Sequence, residues 1–201
     1  YGGTVHFSEP NNHARDAGLQ ALVTEGMIPI HPYDKPEIIA GQGTCALELL
    51  GAEPRIEVLA VPVGGGGLIS GCGLVAAAQG VTVVGVEPEG AADTVASLKR
   101  GARVDDWQAD TIADGLRAVV GVRNFAIISQ LVSRVVAVSD DEIRNVVNVV
   151  SSHEPLFVSE LVQLHSGGGE GGSEPCQVGQ LACDGDDGVF VGVLATGGNL
   201  P

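Results

Sequence analysis

The 201-residue chain is acidic, with a formal charge of −15, and 44% of its residues are hydrophobic although only 3% are aromatic. That length suits one domain, or one domain plus a piece of another. A surface this negative repels phosphate backbones, which excludes a nucleic-acid partner, and the core must rest on Val, Leu, Ile and Ala, as in buried parallel sheets.

In chain order, residues 4–7 read as a strand and residues 11–25 as a helix with Asn12 at its cap. Residues 27–30 form another short strand, residues 43–50 start a helix, and residues 56–63 are an apolar strand. A small-residue helix at 68–79, a strand at 81–86 and a helix at 92–99 follow. Helices at 125–132 and 140–150 enclose a strand at 135–138, and residues 189–195 are the last strand. This alternation predicts an α/β fold of three layers, a mostly parallel sheet with helices on both faces. Residues 58–86 carry no charge and are long enough to cross a membrane. Pro62 and the glycines at 64–67, 71, 73 and 80 cut that stretch into strand, loop, helix and strand, so no membrane is expected as a partner. Residues 151–188 lack periodicity and contain the low-complexity run SGGGEGGS, an atypical insertion or divergent segment. Cys45, Cys72, Cys176 and Cys183 fall at no metal-ligand or disulfide-framework spacing, which suits reduced thiols in a cytoplasmic protein.

The sharpest chemical signal is the run Gly64, Gly65, Gly66 and Gly67 between an apolar strand and a helix. Successive glycine N–H groups can fold around an anion, and the helix that follows offers its positive end. No lysine follows, so this is not the phosphate loop of ATPases, nor does it fit G-x-G-x-x-G. The segment from Gly41 to Ala46 matches a looser dinucleotide pattern but has no strong strand before it. A second constellation is Glu87, Ala91 and Asp93, whose spacing lets two carboxylates and a carbonyl converge in one loop. No lysine or arginine is expected to neutralise that pair before Lys99. On spacing alone this is either a solvated acidic turn or an oxygen-only site for Mg²⁺, Ca²⁺ or Mn²⁺.

Four segments occur in order: IAGQGTCALELL, VPVGGGGLISG, GVEPEGAAD and TIADGL. Their order and spacing resemble the second half of fold-type II pyridoxal-phosphate (PLP) enzymes, the serine racemase and serine/threonine dehydratase branch. The opening YGGTVHF is similar to the last small-domain strand of that family, which implies a small-domain remnant at residues 1–34 and a large PLP-binding domain at residues 35–201. The resemblance implies that Gly64 to Gly67 hold the PLP phosphate, that Gly115 lies beside the cofactor ring, and that Thr196 faces the pyridine nitrogen. It also implies a divalent-cation site, Mg²⁺ or its Ca²⁺ or Mn²⁺ equivalent, at Glu87, Ala91 and Asp93. The activity implied is β-elimination from a hydroxy amino acid, or serine racemisation, by an enzyme that is a homodimer at full length.

The family's Schiff-base lysine has no counterpart here. Lys99 stands in a superficial imitation of the family's lysine motif, and Lys35 precedes a proline in a polar loop. The chain is therefore expected to be a truncated or mis-assembled piece, or a degenerate homologue, without catalysis of its own. The alternative is a non-catalytic binding or regulatory subunit.

Overall fold

The computed structural model describes residues 2–9, 12–151, 182–183 and 190–193. The chain divides into two compact units, Tyr1–His31 and Pro32–Pro201. The first carries the helix α1 (Asn12–Thr24). The expected strands at 4–7 and 27–30 do not form; Val5, Phe7, Ile28 and Ile30 are exposed. A β-pattern supplies a face but not a partner, and no described segment hydrogen-bonds to these as a ladder.

The second unit is built on a five-stranded sheet in the order β3-β2-β1-β5-β4. The strands β1 (Val58–Pro62), β2 (Thr82–Pro88), β3 (Arg134–Val138) and β5 (Phe190–Val193) run parallel. The two-residue β4 (Ala182–Cys183) pairs antiparallel with β5. Helices α2 (Pro36–Ala52), α3 (Gly67–Gln79), α4 (Asp93–Arg100), α5 (Val122–Leu131) and α6 (Asp140–Ser151) flank the sheet, an α/β architecture as expected. Leu59, Val61, Val63, Ile69, Val83 and Ile128 are buried together at its centre. Continuous Val-rich strands such as VLAVP suit a sheet covered on both faces.

Two features of this unit position the site. The chain runs outward from β1 to β2 to β3, then returns to β5 on the other side of β1. The gap between the carboxyl ends of β1 and β5 is therefore a topological switch point, where open α/β sheets bind ligands. The second feature is the approach of α2 to α3. A Cβ on Gly43 would lie 2.9 Å from the Gly71 carbonyl oxygen, and one on Gly71 would collide with the Ile39 carbonyl. Only glycine allows that closeness. The helix α2 starts at Pro36 rather than at residue 43, because proline is pre-set for the first helical turn. Gly41 and Gly43 thus lie inside a helix, and the loose dinucleotide pattern is not a loop.

Candidate functional site

The strand β1 ends at Pro62, and the glycine run follows at the switch point. Gly66 has φ +86°, a left-handed conformation, and caps α3. The first helical amide to find a carbonyl is that of Ser70, on Gly66, at 3.0 Å. Helix geometry leaves the N–H groups of Gly67, Leu68 and Ile69 without intrahelical acceptors, and the dipole adds positive potential at that end.

The walls around this loop come from distant parts of the chain. A Cβ on Gly64 would lie 3.0 Å from Leu116 Cα and 3.3 Å from the Gly115 carbonyl oxygen, so the TIADGL segment packs against the glycine run. A Cβ on Gly65 would meet the Tyr33 ring at 2.5 Å. The Asn124 amide donates to the Gly65 carbonyl at 2.7 Å and to the Tyr33 carbonyl at 3.2 Å. Asp34 accepts from the N–H groups of Val122 and Arg123, each at 3.0 Å, and so caps α5 from 88 residues away. On the other flank Asp140 accepts from the Thr111 hydroxyl at 2.6 Å and from the Ile112 N–H at 3.0 Å, which fixes the TIADGL segment on the start of α6. Tyr33, Asp34, Asn124 and Asp140 carry no motif in the sequence. Their partners lie tens of residues away, so no local signal could have found them.

The acidic constellation takes a definite form. Glu87 ends up 1% exposed in β2 and Asp93 2% exposed at the first turn of α4, with Ala91 buried between them. This excludes the solvated-turn alternative, because neither carboxylate faces water. Glu87 Oε1 accepts from the Val95 N–H at 2.7 Å, and Asp93 Oδ2 from the Val120 N–H at 2.9 Å. Glu87 Oε2 is buried without a hydrogen-bond partner. Burial pushes Glu87 up to about 7, with the Asp93 charge adding to the rise, and burial pushes Asp93 up to about 6. Arg103 tempers the Asp93 shift, so a cation from beyond Lys99 does stand near this pair. Arg103 itself is engaged with the Val120 carbonyl at 2.6 Å.

An orphaned buried carboxylate oxygen next to a second buried carboxylate is a donor set suited to a hard divalent ion. Among the described residues no group of three or more His, Cys, Asp or Glu side chains is placed to hold a metal ion, so any such ion would also need backbone oxygens or water. Lys99 is exposed in the last turn of α4. Thr196 lies outside the described residues.

A parallel sheet with a glycine cradle at its switch point defines a class of α/β proteins that grip a small phosphorylated molecule. The family model described as pyridoxal-phosphate dependent enzyme matches residues 1–160. The chain belongs to that family. Serine racemase of Rattus norvegicus is 36% identical over 163 residues, covering 79% of this chain and 49% of the racemase. The β-hydroxyaspartate dehydratase of Paracoccus denitrificans (strain Pd 1222) is 32% identical over 208 residues, covering 100% of this chain and 61% of that enzyme. Among solved structures, maize serine racemase superposes with a TM-score of 0.75 at 34% identity, covering 79% of this chain and 49% of the racemase chain. The processed form of threonine deaminase isoform 2 from Solanum lycopersicum superposes with a TM-score of 0.72 at 33% identity, covering 77% of this chain and 44% of the deaminase chain. The chain thus spans about half the length of the serine racemases it matches.

Proposed function

We propose that this chain is the cofactor-gripping part of a PLP-dependent enzyme that converts a small hydroxy amino acid, serine or threonine, by β-elimination to a keto acid and ammonia, or that racemises serine. The observation that carries this reading is the glycine run at the end of β1, with the Gly115 backbone packed against Gly64. The fit to the cofactor's phosphate rests on bare backbone: a Cβ at residue 64 or 65 would meet the Leu116 backbone or the Tyr33 ring, so only glycine, with its N–H and no side chain, can stand here. PLP, when bound, supplies the electron sink that makes a Cα proton acidic. The amides of Gly64 to Gly67 would donate to the phosphate, and the start of α3 would add its dipole. Gly115 offers backbone without a side chain beside the ring. Thr196 is the hydroxyl assigned to the ring nitrogen. Residues 1–34 are assigned to the smaller domain and residues 35–201 to the larger one. The lysine that moves the Cα proton is assigned to neither Lys35 nor Lys99.

Glu87, Asp93 and the Ala91 carbonyl are assigned to a divalent cation, Mg²⁺, Ca²⁺ or Mn²⁺, which would neutralise the two buried charges and hold the loop. The full-length enzyme is read as a homodimer.

The test is equilibrium dialysis of the purified chain against PLP, followed by borohydride. Reversible binding that inorganic phosphate displaces, with no pyridoxyl label on Lys35 or Lys99, is the expected result. No retention of PLP sinks the cofactor reading. Binding by the chain alongside inactivity of the complete protein favours a non-catalytic regulatory subunit.

A further inference from the structure

The contact between α2 and α3 brings two cysteines together that the sequence keeps 27 residues apart. We propose that Cys45 and Cys72 are a reversible oxidation site, forming a disulfide across this contact when the protein meets hydrogen peroxide. Their sulfurs lie 3.7 Å apart. A disulfide needs about 2.05 Å, so the two sulfurs have only a short gap left to close. The helices are already as close as backbones allow, since Gly43 and Gly71 face each other beside the cysteines.

The two thiols differ in the way that stepwise oxidation requires. Cys45 is half-buried and open to a small oxidant, whereas Cys72 is fully buried. Either sulfur can donate in the contact between them, and the Cys45 thiol also donates to the Gln42 carbonyl at 2.9 Å. The contact with Cys72 lowers the Cys45 thiol below the ordinary range, although burial and Glu48 one turn along α2 oppose it. The thiolate is the reactive form, and of the two cysteines Cys45 is the one whose thiol is lowered and within reach of solvent. The contact with Cys45 and desolvation both raise the Cys72 thiol above the ordinary range.

The chemistry balances with peroxide as the only oxidant. The Cys45 thiolate attacks one peroxide oxygen; an S–O bond forms, the O–O bond breaks and hydroxide leaves, taking up a proton to become water. The Cys72 sulfur then attacks the sulfenic sulfur of Cys45; the S–S bond forms, the S–O bond breaks and the oxygen leaves as a second water with the Cys72 proton. Two thiols are oxidised, and both peroxide oxygens are reduced.

The bond would tie two segments of the candidate site together. The helix α2 begins shortly after Tyr33, and α3 begins in the glycine run. Cross-linking them ties the helix that follows Tyr33 to the helix that begins in the glycine run, independently of which ligand the loop takes.

Trypsin cleaves after Arg55, which leaves Cys45 and Cys72 in separate peptides. The intact chain is treated with hydrogen peroxide, its remaining thiols are blocked, and the digest is read by mass spectrometry. The expected result is a linked peptide pair lighter by two hydrogens, about 2 Da, released by dithiothreitol. It should persist when Cys176 and Cys183 are both replaced by serine, and vanish in Cys45→Ser. Alkylation of Cys45 should show a pH midpoint below that of an ordinary thiol, and the midpoint should rise in Cys72→Ala. Linkage of either cysteine to Cys176 or Cys183, or Cys45 carried to sulfinic acid while Cys72 stays unmodified, overturns the proposal. The mapping uses the unaltered chain, so a Cys72 variant that fails to fold leaves the outcome readable.

Discussion

At the scale of single residues, the site is shaped by what glycine leaves out. The Tyr33 ring occupies the space a side chain at residue 65 would need, with the nearest ring carbon 2.5 Å from an ideal Cβ. Gly65→Ala must therefore push the ring away or shift the loop that Asn124 holds through the Gly65 carbonyl. Overpacking of this kind costs about 1–3 kcal/mol, measurable as a lower urea midpoint with an unchanged slope. Under the PLP reading the same change should weaken cofactor retention by about tenfold or more, because it would displace the amides assigned to the phosphate. Loss of stability without any loss of PLP retention would make Gly65 a packing glycine and move the cradle elsewhere. The glycine run itself was plain in the sequence, since four in succession exceed what a turn requires. Tyr33 and Asn124 were not, because nothing local distinguishes a tyrosine that leans on a loop 32 residues later.

At the scale of elements, periodicity did its work wherever a segment packs on its chain neighbours. The strand expected at 56–63 and the helix expected at 68–79 are found as β1 and α3 with ends shifted by two residues or fewer. The failures share a cause. The start of α2 came seven residues early because Gly41 and Gly43 read as loop, whereas close packing on α3 selects glycine inside a helix. The extended segments of the first unit have strand-like sequences whose edges find no described partner. The cap of α5 could not be read at all, since Gly121 precedes that helix without a side-chain cap and the carboxylate comes from Asp34. That borrowed cap is testable. Asp34 takes two of the amides the helix leaves over and complements its dipole, so Asp34→Ala should cost about 1–2 kcal/mol. Asp34→Asn, which keeps one acceptor oxygen but loses the charge, should cost less. Equal losses in both variants would show that the charge, rather than the hydrogen bonds, holds the helix start.

At the scale of the whole molecule, an acidic chain buries two of its carboxylates beside each other, and stability must register their charge. Glu87 is raised from the ordinary 4.5 to about 7, chiefly by burial, and Asp93 from 3.8 to about 6. A raised acid binds its proton more tightly in the folded state than in the unfolded one. Its contribution is fully present below the unfolded value and is lost as pH rises through the folded one. Without divalent ions the thermal midpoint should therefore fall between pH 3.8, where Asp93 begins to lose its contribution, and about 7, where Glu87 has lost most of its own. The Glu87 share of that loss is about 3 kcal/mol, at 1.36 kcal/mol per unit. Glu87→Gln, neutral at every pH, should flatten most of the slope. A divalent cation reverses the sign of the problem: it needs both carboxylates ionised and removes the penalty of leaving them so. Adding Mg²⁺, Ca²⁺ or Mn²⁺ should raise the midpoint strongly above pH 7 and barely at pH 5, where protons hold the site. Asp93→Asn should abolish most of that rise while keeping an acceptor for the Val120 N–H. A midpoint that rises equally at both pH values, or equally in Asp93→Asn, would assign the effect to general screening of the −15 charge and leave Glu87 as a carboxyl that folds protonated.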